Sequence, residues 1–342
     1  MSGTCTGIRR ISAILLGGLA AAASCIASAE QRAFQELERT VVIELGAAAD
    51  WVEITPDAVW VGAKQPDTVT KIDPRTNRRA ATVHLPGNAC GGIAAGFGSL
   101  WVPLCAAKPG LAQVDLKSAK LTRVLPIGPP AKEGGITTGG GSVWLVIDKQ
   151  GTLARIDPAS GEVRQRIRIA PGSYNPLFAD GKVWVTRVEG SEVTSIDATS
   201  GEVLGTIATG PAPRFLAAGG GAVWTLNQGD GTVTRIDSQT RKAVKSIALK
   251  TPGPGGDIKY SDGRVWTTMM ETPLSVIDAA TNTLLCQWAG AGGDSLGIGH
   301  GAIWLTDFHA GTIARIELKT ALGHCKAAGG AAADGTPRRP SA

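Results

Sequence analysis

Apolar and polar residues alternate along most of this chain in short runs, and Gly, Asp, Ser or Pro punctuates each run. Thr152-Leu-Ala-Arg-Ile-Asp157, Val193-Thr-Ser-Ile-Asp197, Thr232-Val-Thr-Arg-Ile-Asp237 and Leu274-Ser-Val-Ile-Asp278 share one pattern: alternation that ends on an aspartate. A turn follows (Asp157-Pro-Ala-Ser-Gly161, Asp197-Ala-Thr-Ser-Gly201), then a second alternating run such as Val203-Leu-Gly-Thr-Ile-Ala208. A period of two bounded by turn residues predicts short antiparallel strands, and nothing in the unit sustains a helical period. The aspartates read as side-chain acceptors for the turns that follow them.

The pattern is repeated along the chain. Trp60, Trp101, Trp144, Trp184, Trp224, Trp266 and Trp304 stand 41, 43, 40, 40, 42 and 38 residues apart. Gly139-Gly-Gly-Ser-Val-Trp144 and Gly219-Gly-Gly-Ala-Val-Trp224 are near copies; Gly98-Ser-Leu-Trp101 and Gly301-Ala-Ile-Trp304 are shorter versions. Four strands in about forty residues make one propeller blade, which buries its faces only by stacking on its neighbours. The prediction is an all-β, seven-bladed β-propeller with four-stranded blades over residues 38–322, its tryptophans packed between blades. The seventh unit stops after three strands, at Ile313-Ala-Arg-Ile-Glu317, while an orphan run, Thr40-Val-Val-Ile-Glu-Leu45, precedes the first. The N-terminal strand should therefore close the last blade and leave no open edge.

The two ends read differently. Arg9 and Arg10 precede an apolar stretch from Ile11 to Ala23 and the small residues Ala27-Ser28-Ala29. Residues 1–29 thus have the form of a secretory signal peptide, too short for a comfortable membrane span, and the expected location is periplasmic or secreted. Ser24-Cys25 leaves a second reading open, a lipoprotein signal, with Ala22 where Leu is expected. Residues 326–342 carry little apolar content and read as a disordered tail.

Cleavage would remove two arginines and lower the formal charge from +5 to +3. A balance so mild, spread without runs, gives no reason to expect nucleic acid as a partner; a monomer without a transmembrane segment is expected. Cleavage would also leave Cys90, Cys105, Cys286 and Cys325, which suit two disulfides in an exported chain and permit three pairings. Counting out from Gly98-Ser99 puts Cys105 opposite about residue 92, near Cys90. A returning tail could bring Cys325 to Cys286 on the outer strand of blade six. Cys90–Cys105 and Cys286–Cys325 are the expected pairs.

The units resemble the YVTN-type propeller repeat and the related repeat of virginiamycin B (streptogramin) lyase, from Thr40 to about Leu318. Trp184-Val-Thr-Arg187 and Trp224-Thr-Leu-Asn227 stand nearest the first, and Trp304-Leu-Thr-Asp307 nearest the second. The lyase resemblance implies a metal-dependent elimination with histidines at the blade starts. Here the starts read Glu133-Gly-Gly, Asn175-Pro, Arg214-Phe, Gly256-Asp257 and Asp294-Ser295. Among His84, His300, His309 and His324, only His309 falls where it could serve the site.

Following the strands alternately up and down each blade sorts the loops. The first and third turns share one face and repeat monotonously; the second loops and the blade linkers share the other and vary. Varied loops on a rigid scaffold are where sites are built. That funnel face collects Trp51, Lys64, Glu133, Tyr174, Asn175, Arg187, Arg214, Asn227 and Glu271 as candidate ligand-binding residues. Asp257, Asp294 and Asp307, oxygen donors on blades six and seven, are the candidate ligands for Mg2+ or Ca2+. His309 is the candidate general base. Two functions follow: an exported binding or interaction propeller with a small molecule or protein at the funnel face, or a metal-dependent lyase or lactone hydrolase.

Overall fold

The computed structural model describes residues 30–105, 108–130 and 132–329. Seven antiparallel sheets follow one another around a central channel, and they are the seven blades. Blade four is representative. Its strands, from the centre outward, are Ser173–Ala179, Lys182–Arg187, Glu192–Asp197 and Val203–Ala208, each paired with the one before. The seven blade tryptophans stand on the second strands and are at most 1 % exposed.

The repeated glycines have two separate jobs. Phe97-Gly98, Gly140-Gly141, Asp180-Gly181, Gly220-Gly221, Asp262-Gly263 and His300-Gly301 all have positive φ at both residues. That conformation belongs to the tight I′ hairpin, whose twist matches the strands it joins. Gly139 and Gly219, one residue earlier, carry the aromatic of the next blade. A Cβ there would collide with the ring of Phe178 or Tyr260. The aspartates that end the third strands behave as turn acceptors: Asp197 Oδ1 takes the N–H groups of Thr199 and Ser200 at 2.9 and 2.8 Å, and Asp237 repeats the arrangement.

Neighbouring blades are latched by the residue that faces the tryptophan on the third strand. In blades one, three, five and seven this residue is basic: Lys71, Arg155, Arg235 and Arg315. Each charge lies 5.0 to 5.5 Å from the ring centre of its tryptophan. Each also reaches a carbonyl in the next blade: Leu116, Thr199, Ala279 and, across the closure, Pro74. Arg315 adds Asn77 Oδ1 at 2.7 Å. Arg315→Ala should therefore lower stability by about 2–3 kcal/mol, since it removes a stacked cation and two charge-assisted bonds at the ring seam. Arg164→Ala, which loses a half-exposed pair with Asp157 within blade three, should cost about 1 kcal/mol or less. Urea titrations of the two variants side by side would check this; equal losses would mean that the seam is not where the ring is held.

Closure follows the expected route. Val41–Glu44 pairs antiparallel with Thr312–Glu317 and completes blade seven. Two further elements outside the repeats seal the neighbouring blade. Glu30–Ala33 adds a fifth strand to blade six, parallel to Thr283–Ala289, and a helix, Leu318–Gly329, packs beside it. Phe34, Leu37, Trp288, Ala321 and Cys325 share one buried cluster there. The helix takes in residues 326–329, the start of the stretch expected to lack structure, because Leu318, Ala321, Leu322 and Cys325 form an apolar stripe. Residues 330–342, and residues 1–29 with their signal-peptide reading, lie outside the described residues.

Both disulfides form as expected, Cys90–Cys105 and Cys286–Cys325. The register beneath the first is different. Cys105 stands opposite Asn88, not residue 92, because Cys90-Gly-Gly-Ile93 loops out between two short pieces of inner strand.

Candidate functional site

The funnel-face residues do not form one site. The structure sorts them into a rim groove, a channel mouth, and positions that serve only the fold.

Tyr174, Arg187 and Arg214 come together in the groove, a cavity of about 500 Å3 over blades three to five that Pro130, Lys149 and Pro171 also line. A bulge between Ser173 and Pro176, at the start of the inner strand of blade four, presents Tyr174. A bulge between Pro213 and Phe215 presents Arg214. The guanidinium of Arg214 lies 5.0 Å from the Tyr174 ring centre and donates from Nε to Gln228 Oε1 at 2.9 Å. The Tyr174 hydroxyl donates to the Lys132 carbonyl, and burial raises its pKa. Arg187 is paired with Glu192 at 2.9 Å and donates to the Pro171 carbonyl. The groove therefore offers an aromatic face, proline walls and cations already held in place.

Glu133, Asp294 and Lys64 meet at the channel mouth, where they join Asp50, a residue not expected from the sequence. Asp50 is 3 % exposed, and its carboxylate lies 3.5 Å from Lys64 Nζ. Burial, then the charges of Asp294 and Glu133, push its pKa well above the ordinary carboxylate range. Asp294 is raised by burial and by Asp257, although the Gly256 N–H and a hydrogen bond with Asp50 pull the other way. Glu133 is raised by burial and by Asp294. Carboxyls from blades one and seven and from the linker to blade three thus share a poorly solvated space with one lysine.

Below the mouth is the channel proper, a cavity of about 390 Å3 lined by residues from all seven blades, blade seven contributing Ser295 just before its inner strand. The inner-strand residues that pair with the blade tryptophans are Glu53, Ala94, Thr137, Leu177, Ala217, Lys259 and Gly297. Only Glu53 and Lys259 are charged. That exception could have been found by aligning the seven units on their tryptophans. Trp51 and Phe215 also line the cavity, with ring centres 6.0 Å apart, and Asn175 is buried in its wall.

The proposed metal triad is not assembled. Among the described residues no group of three His, Cys, Asp or Glu side chains could hold a metal ion. Asp257 is buried and engaged by Lys259 at 2.9 Å and Ser295 Oγ at 2.9 Å. Asp307 accepts the Ala310 N–H in its own loop. His309 is exposed on that loop, its ring against Phe308. Two more residues leave the candidate set. Asn227 is fully buried in blade five, hydrogen-bonded to Thr225, Thr232 and Thr234. Glu271 is exposed beside a separate groove with Lys250 and Met270. A position in the second loop can turn its side chain into the blade or out of it, and the loop's sequence does not say which.

The family described as outer membrane protein assembly factor BamB matches residues 65–266, more than half of the chain. The crystal structure of BamB from Moraxella catarrhalis superposes with a TM-score of 0.58 at 11% identity, over 82% of this chain and 100% of that one. At that identity the likeness is one of fold. No curated protein matches the chain in sequence. These findings support a β-propeller repeat family and, with the two disulfides, are consistent with an extracytoplasmic protein. No helix among the described residues is long and apolar enough to cross a membrane.

Proposed function

The chain belongs to the family described as outer membrane protein assembly factor BamB, and we propose that it is a periplasmic or secreted interaction propeller that holds a protein partner at its linker face. The groove over blades three to five carries the reading. It places an aromatic ring, two oriented guanidinium groups and proline walls on the variable rim, and aromatic and arginine side chains dominate binding at interfaces. The family's description concerns assembly, which favours a protein as the partner. The finer likeness to YVTN or virginiamycin B lyase repeats would imply metal-dependent lyase or lactone-hydrolase chemistry. Nothing in the placement of His309 or the three aspartates supports that alternative.

The test is photocrosslinking in the cell that makes the protein, with a photoreactive amino acid at position 174 and, as a control, at Gln239 on the opposite face. Position 174 should yield one dominant protein adduct. Substitution of Arg187 and Arg214 by alanine should remove it, at a stability cost of about 2 kcal/mol or less. Adducts from position 239 alone would reverse the assignment of faces.

A further inference from the structure

One hairpin on the face opposite the linkers departs from the others. Phe97-Gly98 is the I′ turn of blade two, and Phe97 has φ +55°. The equivalent turns of blades three to seven place Gly140, Asp180, Gly220, Asp262 and His300 there. Those residues take left-handed backbone with little strain, whereas a bulky side chain rarely adopts it. Phe97 is also 48 % exposed, the only aromatic among the large apolar side chains that the described residues leave open. The ring strains its turn and gains little from packing within the blade, so the fold alone does not account for it.

A second observation concerns charge on the same face. The third turn and outer strand of blades one, two and three, residues 73–84, 115–125 and 157–168, hold nine lysines and arginines against four acids. Those of blades four and six, residues 197–208 and 278–289, hold three acids and no cation. Arg78, Arg79, Lys117, Lys120, Arg166 and Arg168 are exposed. Of the four acids, Asp73, Asp115 and Asp157 accept N–H groups of their own turns. The turns are neighbours in space. The Leu116 N–H of the blade-two turn donates to the Gly98 carbonyl, beside Phe97, at 3.0 Å. Lys71 of blade one reaches the Leu116 carbonyl at 2.8 Å, and Arg123 of blade two reaches the Ser160 carbonyl of blade three at 2.7 Å. Basic edge strands guard against unwanted strand pairing, but that task asks for no exposed aromatic among them.

We propose that this corner of the propeller, blades one to three on the repeated-turn face, docks on an anionic lipid surface. Phe97 enters the boundary between headgroups and acyl chains, and Lys117, Lys120 and the cations of the flanking blades rest on the headgroups. Interfacial binding of this kind grows with the apolar area buried and with attraction to anionic lipid. The cations are spread over three separate blade edges, which suits a diffuse anionic layer better than a shaped polyanion. The linker face then points away from the membrane, so this surface stands or falls apart from the partner reading.

Cosedimentation with vesicles tests the proposal, using the protein as its own cell processes it. Vesicles of phosphatidylcholine and phosphatidylglycerol in equal parts should capture it more tightly than phosphatidylcholine alone, and salt at about 0.5 M should release most of it. Lys117→Gln with Lys120→Gln should weaken binding roughly tenfold or more, since each cation near such a surface contributes about fivefold. Lys242→Gln with Lys245→Gln makes the same charge change on blade five. It should weaken binding about twofold or less, because charges held beyond a Debye length from the surface are screened. Phe97→Asn, which suits the left-handed turn, should weaken binding about fivefold or more and leave the melting temperature unchanged or higher. Binding that does not exceed that to phosphatidylcholine alone overturns the proposal. So does an equal loss from the blade-five pair, which would reduce the effect to net charge, or unchanged affinity in a folded Phe97→Asn protein. Capture by polyglutamate without capture by the anionic vesicles would make the partner an acidic protein and overturn it too.

Discussion

A chain lacking residues 40–45 should fail to melt cooperatively and should elute as aggregate. Val41–Glu44 supplies the outer ladder of blade seven, and Thr40 and Leu45 extend it through bonds of 2.8 Å to the Arg315 and Gly311 carbonyls. Ile43 and Leu45 pack on Val61 and Ile313 in a core that joins blades seven and one. Two large apolar side chains contribute about 1.5–3 kcal/mol each, and the ladder bonds about 1 kcal/mol apiece. Together that is comparable to the whole stability of a typical domain, about 5–15 kcal/mol. The exposed third strand would then be an unpaired edge, open to a second chain. Val42→Lys is the control: Val42 is 48 % exposed on the same strand, and its substitution should cost about 0.5 kcal/mol or less. Circular dichroism melts and size-exclusion profiles read both variants. A deletion protein that melts within a degree or two of the parent would mean that the ring closes by another route.

Glu53→Gln should make the protein more stable at pH 8 by up to about 3 kcal/mol and leave it nearly unchanged at pH 4.5 or below. The sign follows from where the proton prefers to be. The Glu53 pKa rises from an ordinary 4.5 to about 7 on folding because burial penalises the charged form. Native protein therefore binds this proton more tightly than unfolded chain does. Stability referable to Glu53 is highest below pH 4.5, falls as the pH rises to 7, and stays level above. Glutamine keeps an acceptor for the Ala95 N–H and has no charge to bury. The turn aspartates work in the opposite direction: hydrogen bonds from the following N–H groups hold Asp73, Asp115, Asp157, Asp197, Asp237 and Asp278 below the usual range. Their contribution is lost as the pH falls through those lowered values. Urea titrations of parent and variant at pH 4.5, 6 and 8 would separate the limbs. A gain independent of pH would show that Glu53 is not held neutral by its burial.

The sequence by itself determined what is local or repeated. Strand alternation, I′ hairpins at X-Gly, aspartate turns and a tryptophan about every forty residues each depend on a few neighbouring positions, and seven copies averaged out the irregularities. The closing strand was legible because a missing outer strand at one end matched an orphan at the other. The Cys90–Cys105 pair followed from one hairpin even though its register was miscounted, since a loop of four residues leaves the two cysteines on the same end of the sheet. The helix at Leu318–Gly329 carried its own apolar stripe and was hidden only by the alanines and glycines that follow it. Tertiary structure decided the centre. Asp50, Glu53, Lys259 and Asp294 lie as much as 244 residues apart, and their environment exists only once seven inner strands surround a common axis. Whether Asn227 faces solvent or a ring of threonines, and whether Asp257 meets a metal or Lys259, depends on the rotation of one strand about that axis. A repeat encodes how each blade meets the next; the charge balance at the middle belongs to no single repeat, because desolvation is set by all seven at once.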